Sequence, residues 1–373
     1  MGVRQNEHEE DGAPGTETSL QELSRLADTD GLVVVESLVQ TRGRPDPATY
    51  VGSGKADELA EAVRRTAAHV VVADGELTPG QARNLQERVA ARVVDRTALI
   101  LDIFAEHART SEGRLQVELA QIAYQLPRLR GHGEALSRVG GGRVAGGAGM
   151  GVRGPGEMRL ESQQRRLRQR ATRLRAGVTE LARRRERTRR LRVRNRIPSV
   201  AITGYTNAGK SALLNRLTGA SAATADVLFA TLDPTVRRTT IESTTVTLTD
   251  TVGFVRNLPH QLVDAFRSTL EEVSRSDLVL HVVDAAACDA LGQITTVHGV
   301  LQEIGAGEVP ELLVLNKADI APAEWLTALR RAHPGAVVVS ATTGSGVDDL
   351  RSALARRLRP LTNARAQSLT TGL

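Results

Sequence analysis

One octapeptide, set between an apolar run and a helical stretch, constrains this chain more than any other feature. Gly204-Tyr205-Thr206-Asn207-Ala208-Gly209-Lys210-Ser211 fits the pattern G-x-x-x-x-G-K-[ST]. Val200-Ala201-Ile202-Thr203 before it reads as a buried strand, and residues 212–217 after it read as a helix. A strand that enters such a loop and leaves it through a helix gathers backbone N–H groups at the positive end of the helix, where a phosphate is favoured. Lys210 would reach β- and γ-phosphates, and the Ser211 hydroxyl would ligate Mg2+. The fold that satisfies this is α/β: a mostly parallel sheet that takes its ligand at the carboxyl ends of its strands.

Three more motifs follow, each at the end of a strand-like run. Asp250-Thr251-Val252-Gly253 closes the β-branched stretch 244–248. Its aspartate would hold the Mg2+ shell through water, and its glycine lets backbone approach the γ-phosphate. Asn316-Lys317-Ala318-Asp319 follows Leu312-Leu313-Val314-Leu315. A carboxylate at Asp319 accepts two hydrogen bonds from the N1–H and N2–H2 edge of guanine. Adenine lacks that donor pair and would leave the acid unpaired. Ser340-Ala341-Thr342 follows a third apolar run, 336–339, and suits a backbone contact to the guanine oxygen. Together the four motifs specify a GTP-binding domain.

In Phe229-Ala230-Thr231-Leu232-Asp233-Pro234-Thr235, Thr231 is the expected switch threonine. Its hydroxyl would close the Mg2+ shell while the γ-phosphate is present and let go after hydrolysis; the plainer reading is a capping threonine. Phe254 stands where a water-orienting glutamine often follows D-x-x-G. A phenyl ring cannot orient water. Slow unaided hydrolysis is therefore expected, with Lys210 and Thr231 as supporting groups and an outside partner that completes the site.

Charge points to that partner. Residues 159–196 hold sixteen arginines against three acids, a net +13 that leaves −7 for the rest of a chain at +6 overall. A basic block on an otherwise acidic protein suits a polyanion. Within it Leu160, Leu167, Leu174 and Leu181 recur every seven residues, with Ala171 and Val178 between. Upstream, Leu115, Leu119, Ile122, Leu126 and Leu129 repeat at steps of four and three. Two such helices, in residues 110–196, should pair as an antiparallel, coiled-coil-like hairpin and bury each other's stripes. Nine glycines crowd residues 140–156 between them. They form a flexible linker, or a loop that presses bare backbone and arginines against folded RNA; Arg143, Arg153, Arg165 and Arg166 are the candidate contacts. Aromatic residues make up only 2% of the chain, which argues against binding by base stacking.

Residues 21–109 read as a separate small α/β unit, with strands at 32–35, 70–72 and 92–94 and helices at 56–66, 81–89 and 98–107. Gly52-Ser53-Gly54-Lys55 imitates a phosphate loop, but Thr49 replaces its first glycine and Ala56 its Ser/Thr, leaving Lys55 to meet RNA or solvent. Residues 1–20 read as a disordered acidic tail, 197–360 as the nucleotide domain and 361–373 as a second tail. Cys288 is the single cysteine, so no internal disulfide can form. No leader-like apolar run and no stretch of ~18 apolar residues occurs, so a cytoplasmic monomer is expected. The eight histidines are scattered and suggest no metal cluster.

The chain resembles the HflX family of ribosome-associated GTPases over about residues 31–359. The marks are Arg44-Pro45-Asp46-Pro47-Ala48-Thr49-Tyr50-Val51-Gly52, Asp95-Arg96-Thr97, Leu115-Gln116-Val117-Glu118-Leu119-Ala120, Arg153-Gly154-Pro155-Gly156-Glu157, the loop with Asn207, and Asp250-Thr251-Val252-Gly253-Phe254. The resemblance implies an N-terminal α/β domain, a helical hairpin and a Ras-like P-loop GTPase domain. It further implies binding to the large ribosomal subunit through rRNA, GTPase stimulation there, and splitting or rescue of stalled ribosomes. In related GTPases the residue at Asn207 helps hold a monovalent cation, so K+ is a candidate beside GTP and Mg2+. Residues 143–150 lengthen the family's glycine-rich loop, Ser162-Gln163-Gln164 replaces part of its usual sequel, and only about 14 residues follow Arg359, so a further C-terminal domain is expected to be missing. Two other readings stay open: a ribosome-assembly GTPase, and a GTP-regulated general RNA-binding protein.

Overall fold

The computed structural model describes residues 2–4, 16–139, 155–194, 197–220, 228–229, 235–256 and 258–367. In chain order the first elements are β1 (Gly2–Arg4), α1 (Thr16–Thr29), β2 (Val39–Thr41), α2 (Ser53–Thr66), β3 (Val70–Ala73), α3 (Pro79–Val89), β4 (Arg92–Asp95) and α4 (Arg96–His107). Two long helices follow, α5 (Ser111–Val139) and α6 (Pro155–Arg194). The remainder is β5 (Ser199–Gly204), α7 (Lys210–Thr218), β6 (Thr235–Ile241), β7 (Thr244–Asp250), α8 (His260–Ser274), β8 (Leu278–Asp284), α9 (Ala290–Glu303), β9 (Glu311–Asn316), α10 (Ala323–Ala332), β10 (Val337–Val338) and α11 (Val347–Gln367).

Strands β5 to β10 form one sheet in the order β10-β9-β8-β5-β7-β6, parallel except for β6. Central β5 and β8 are almost wholly buried, as strands covered on both faces must be. Val200 and Ile202 pack with Leu213 and Leu217 of α7 and Leu350 and Leu354 of α11. Ala201 and Val279 point the other way, into a core with Phe266 and Leu270 of α8 and Val297 of α9. That second core does not stop at the sheet. It continues into Leu23 and Leu26 of α1, Leu99 to Phe104 of α4, and Val117 and Ala120 of α5. The fold is thus a P-loop α/β sheet with further helices built onto one face.

Local signals explain several helix starts. Thr78 and Gln81 form a reciprocal capping box ahead of Pro79 at the head of α3. Asp95 caps α4 by accepting the Ala98 N–H at 2.8 Å. The stripes of α5 and α6 meet at Ile122, Ala171 and Leu174, flanked by Leu115, Leu119, Leu126 and Leu167. Glu118 takes both a 2.7 and a 2.9 Å bond from Arg170, and Arg185 pairs with Glu112 at 2.8 Å.

Some expectations need correction. Residues 32–35 are not a strand: Val33 and Val35 are 86% and 60% exposed, and the pairing falls instead between β1 and β2. β-propensity without a neighbouring ladder does not make a strand. The stretch 1–20, read as a disordered tail, contains β1, paired to β2, and the start of α1, whose Leu20 packs against the core. Helix α11 continues to Gln367, into the stretch read as a tail. The false phosphate loop opens α2, where Lys55 pairs with Glu58 at 2.7 Å. No described helix is long and apolar enough to cross a membrane.

Candidate nucleotide-binding site

Strand β5 delivers the chain to Gly204 with φ +145°, and the loop passes through Asn207 at φ +59° and Gly209 at φ +88° before α7 starts at Lys210. A Cβ on Gly204 would lie 2.1 Å from the Val282 carbonyl oxygen, and one on Gly209 2.3 Å from Asn316 Nδ2. Both positions therefore require glycine for space as well as for conformation. Lys210 is buried and its Nζ donates to the carbonyls of Gly204 (3.2 Å) and Tyr205 (2.8 Å). Burial pushes its amine down to about 8, with Asp250 pulling the other way. Phosphate oxygens in place of those carbonyls would hold the proton on the amine.

Asp250 and Gly253 lie directly against this loop. Ser211 Oγ donates to Asp250 Oδ2 at 2.6 Å. The Thr206 N–H donates to the Phe254 carbonyl at 2.7 Å, and the Phe254 N–H to the Gly204 carbonyl at 3.1 Å. A Cβ on Gly253 would come within 2.9 Å of Lys210 Nζ. The Ser211 hydroxyl and the Asp250 carboxylate are adjacent hard oxygens, the donor chemistry that Mg2+ takes.

One side chain ties three of these loops together. Asn316 Nδ2 donates to the Ala208 carbonyl at 2.8 Å while its Oδ1 accepts the Ala341 N–H at 3.0 Å. Arg216 of α7 also donates to the Ala341 carbonyl, at 3.0 Å. Lys317, at φ +60°, pairs with Asp284 at 2.7 Å, and the Ala318 N–H donates to the Val339 carbonyl at 3.2 Å. Ser340 and Ala341 are buried and Asp319 and Thr342 are exposed, so the carboxylate stands open above a fixed loop.

The structure thus places Gly204 to Ser211, Asp250 to Gly253, Asn316 to Asp319 and Ser340 to Thr342 at one end of the sheet. Ala230, Thr231, Leu232 and Asp233 lie outside the described residues, as do Arg143 and Arg153. Arg165 and Arg166 are exposed on α6. Phe229, whose motif also reads as a nucleotide contact, would have only its backbone for that purpose. Its buried ring meets Phe104 of α4 edge-on at 4.5 Å, because an aromatic ring gains more from that apolar core than from a phosphate site. Phe254 is also core, 1% exposed, and so cannot present a polar group to water.

A polar path from the loop into the N-terminal helices had no sequence signal. The Tyr205 hydroxyl donates to Glu22 of α1 and accepts the Arg256 N–H at 2.8 Å. Burial, reinforced by Glu22, pushes that hydroxyl's pKa up, so it remains a donor. Glu22 in turn pairs with Arg96, which also bonds Asp74 at 2.8 Å. Arg256 pairs with Asp289, the cap of α9.

The Asn316 tie is open to test. Gly209→Ala should displace Asn316 from Ala208 and strain the loop at a positive φ. A loss of about 2–4 kcal/mol is expected, as for a broken buried hydrogen bond with backbone strain. Urea unfolding with and without GDP reads it; an unchanged midpoint would show that the loop relaxes freely.

Three family models match the chain in succession. They are "GTP-binding GTPase N-terminal" at residues 17–105, "GTP-binding GTPase Middle Region" at 107–192 and "50S ribosome-binding GTPase" at 199–317. The GTPase HflX of Caldanaerobacter subterraneus subsp. tengcongensis is 47% identical over 347 residues, spanning 93% of this chain and 78% of the relative. The chain belongs to the HflX family of GTPases. The HflX GTPase of Escherichia coli strain K12 is 45% identical over 343 residues, 91% of this chain and 79% of its own. The crystal structure of a GTP-binding protein from Sulfolobus solfataricus with GDP covers 96% of this chain and 98% of that one at 23% identity and a TM-score of 0.46. As an HflX-family member the chain is a nucleotide hydrolase.

Proposed function

We propose that this chain hydrolyses GTP to GDP and phosphate with Mg2+, and that its GTP form docks on rRNA of the large ribosomal subunit to split or rescue stalled ribosomes. The observation that carries the reading is Asn316, which locks the phosphate loop to both base-side loops, set in a chain with a strongly basic α6. Asp319 would read guanine, the Ser340-Ala341-Thr342 backbone its oxygen, and Lys210 the β- and γ-phosphates. Ser211, Asp250 through water, and Thr231 would hold Mg2+, which when bound neutralises charge on the transferring phosphoryl group. Asn207, exposed on the loop, is the residue to hold K+.

Helices α5 and α6 act as an antiparallel hairpin, and the glycine-rich segment that joins them reaches the rRNA. Arg165, Arg166, Arg168, Arg173 and Arg175 are exposed on α6 and suit phosphate contacts that need no sequence readout. The family description "50S ribosome-binding GTPase" supports the same partner. The buried ring at Phe254 supports a requirement for help in orienting water.

The test is GTP hydrolysis alone and with large subunits, small subunits or 70S ribosomes, with Lys210→Ala as control. Stimulation of ~10^3-fold or more, the scale on which completing a GTPase site acts, is expected with large subunits and 70S but not with small subunits. Stimulation only by precursor particles would move the function to assembly. Stimulation by unrelated duplex RNA would make it a general RNA-binding switch.

A further inference from the structure

Three side chains with no part in nucleotide chemistry converge on the α9 side of the sheet: His281 of β8, His298 of α9 and Glu311 of β9. His281 Nδ1 lies 2.6 Å from Glu311 Oε1, and His298 Nε2 lies 3.1 and 3.0 Å from the two carboxylate oxygens. The two imidazoles stand edge to face with centroids 5.4 Å apart. One ligand atom from each residue falls within 4.8 Å of the others.

We infer that His281, His298 and Glu311 form a binding site for one divalent transition metal of the zinc class. Two imidazole nitrogens and a carboxylate oxygen are a ligand set that Zn2+ takes, with its fourth position left to water. Two of the ligands sit on adjacent, hydrogen-bonded central strands, so little order must be bought on binding. The site has a floor and a mouth: the His281 side chain is 1% exposed, while those of His298 and Glu311 are 42% and 30% exposed. An ion can therefore enter from solvent past two half-open ligands onto a fixed third.

A second observation concerns the far nitrogen of His281. Its Nε2 is buried without a hydrogen-bond partner, and so is Thr203 Oγ1, the residue opposite it in the β5–β8 register. Metal on Nδ1 fixes the proton on Nε2, and a ligating histidine usually gives that proton to an acceptor behind it. The Thr203 hydroxyl does not bond Nε2 in this structure, and the metal-bound form would have to bring the two together. The scattered histidines of the sequence gave no hint, because thirty residues separate His281 from Glu311 and only the β8–β9 pairing brings them together.

The site is tested with untagged, chelator-stripped full chain saturated with GDP and Mg2+, titrated with Co2+ and followed by its visible absorption. One Co2+ per chain is expected, displaced by one Zn2+. His298→Ala and Glu311→Gln should each weaken Co2+ binding at least about tenfold, with GDP binding retained as the sign that each variant is folded. His298→Cys, which offers a thiolate in place of the imidazole, should restore it. Absence of saturable binding in the wild type, or equal binding by His298→Ala and Glu311→Gln, would overturn the assignment.

Discussion

Replacing Asp319 with asparagine should reduce GDP and GTP affinity by ~10^4-fold, the scale at which a site built to hydrogen-bond a donor edge rejects a mismatched partner. The carboxylate would accept from two adjacent guanine N–H groups, whereas an amide turned toward them could accept only one and would set its own N–H2 against the other. The loop beneath cannot shift to compensate, because Asn316, Lys317 and Ala318 are each anchored by hydrogen bonds or an ion pair. Xanthine carries a carbonyl where guanine carries N2, so the same variant should gain affinity for XDP. Equilibrium titration with fluorescent GDP and XDP measures both, and an Asp319 exposed in the folded protein leaves its stability nearly untouched. Retained GDP affinity would show that Asp319 does not touch the base.

Arg96→Ala should have the largest effect on folding. The guanidinium is 1% exposed and lies between Glu22 and Asp74, whose side chains are 11% and 5% exposed. Removing it leaves two neighbouring carboxylates out of water with no cation between them. A buried ion pair broken from one side costs about 3–5 kcal/mol. Neutralising the whole cluster, with Arg96→Met, Glu22→Gln and Asp74→Asn together, should recover most of that loss, since the penalty comes from uncompensated charge rather than from the missing bonds. Guanidinium unfolding of the single and triple variants decides the matter. A triple variant as unstable as Arg96→Ala would mean that the arginine acts through shape. Because Glu22 also accepts from Tyr205, nucleotide release should change in the single variant as well.

The clustering of the candidate site's loops was legible because its parts are local. A strand, a loop and a helix in sequence register encode Gly204 to Ser211 within eight positions, and each later motif is a strand end with its own chemistry. The seven-residue spacing of α6 was equally plain, since helical periodicity needs no knowledge of the partner. What could not be read depended on the third dimension. Val33-Val34-Val35 has the composition of a strand, but strands exist only in pairs, and the partner of that region is Gly2 to Arg4 against Val39 to Thr41. Phe229 sits in a motif that invites a nucleotide role, yet its ring is claimed by Phe104, far away in sequence. Glu22 and Tyr205 are separated by 183 positions, and nothing in either neighbourhood announces the other.

Asn316 has a consequence for how nucleotide leaves. Its amide donates to the Ala208 loop with one end and accepts from the Ala341 loop with the other, while its own loop carries Asp319, the proposed reader of the base. With nucleotide bound as proposed, phosphate release and base release are therefore expected to be coupled, and Asn316→Ala to weaken that coupling. A molecule that pulled one of the three loops away would break a bond to another, so exchange is expected to respond to contacts made at either end of the site.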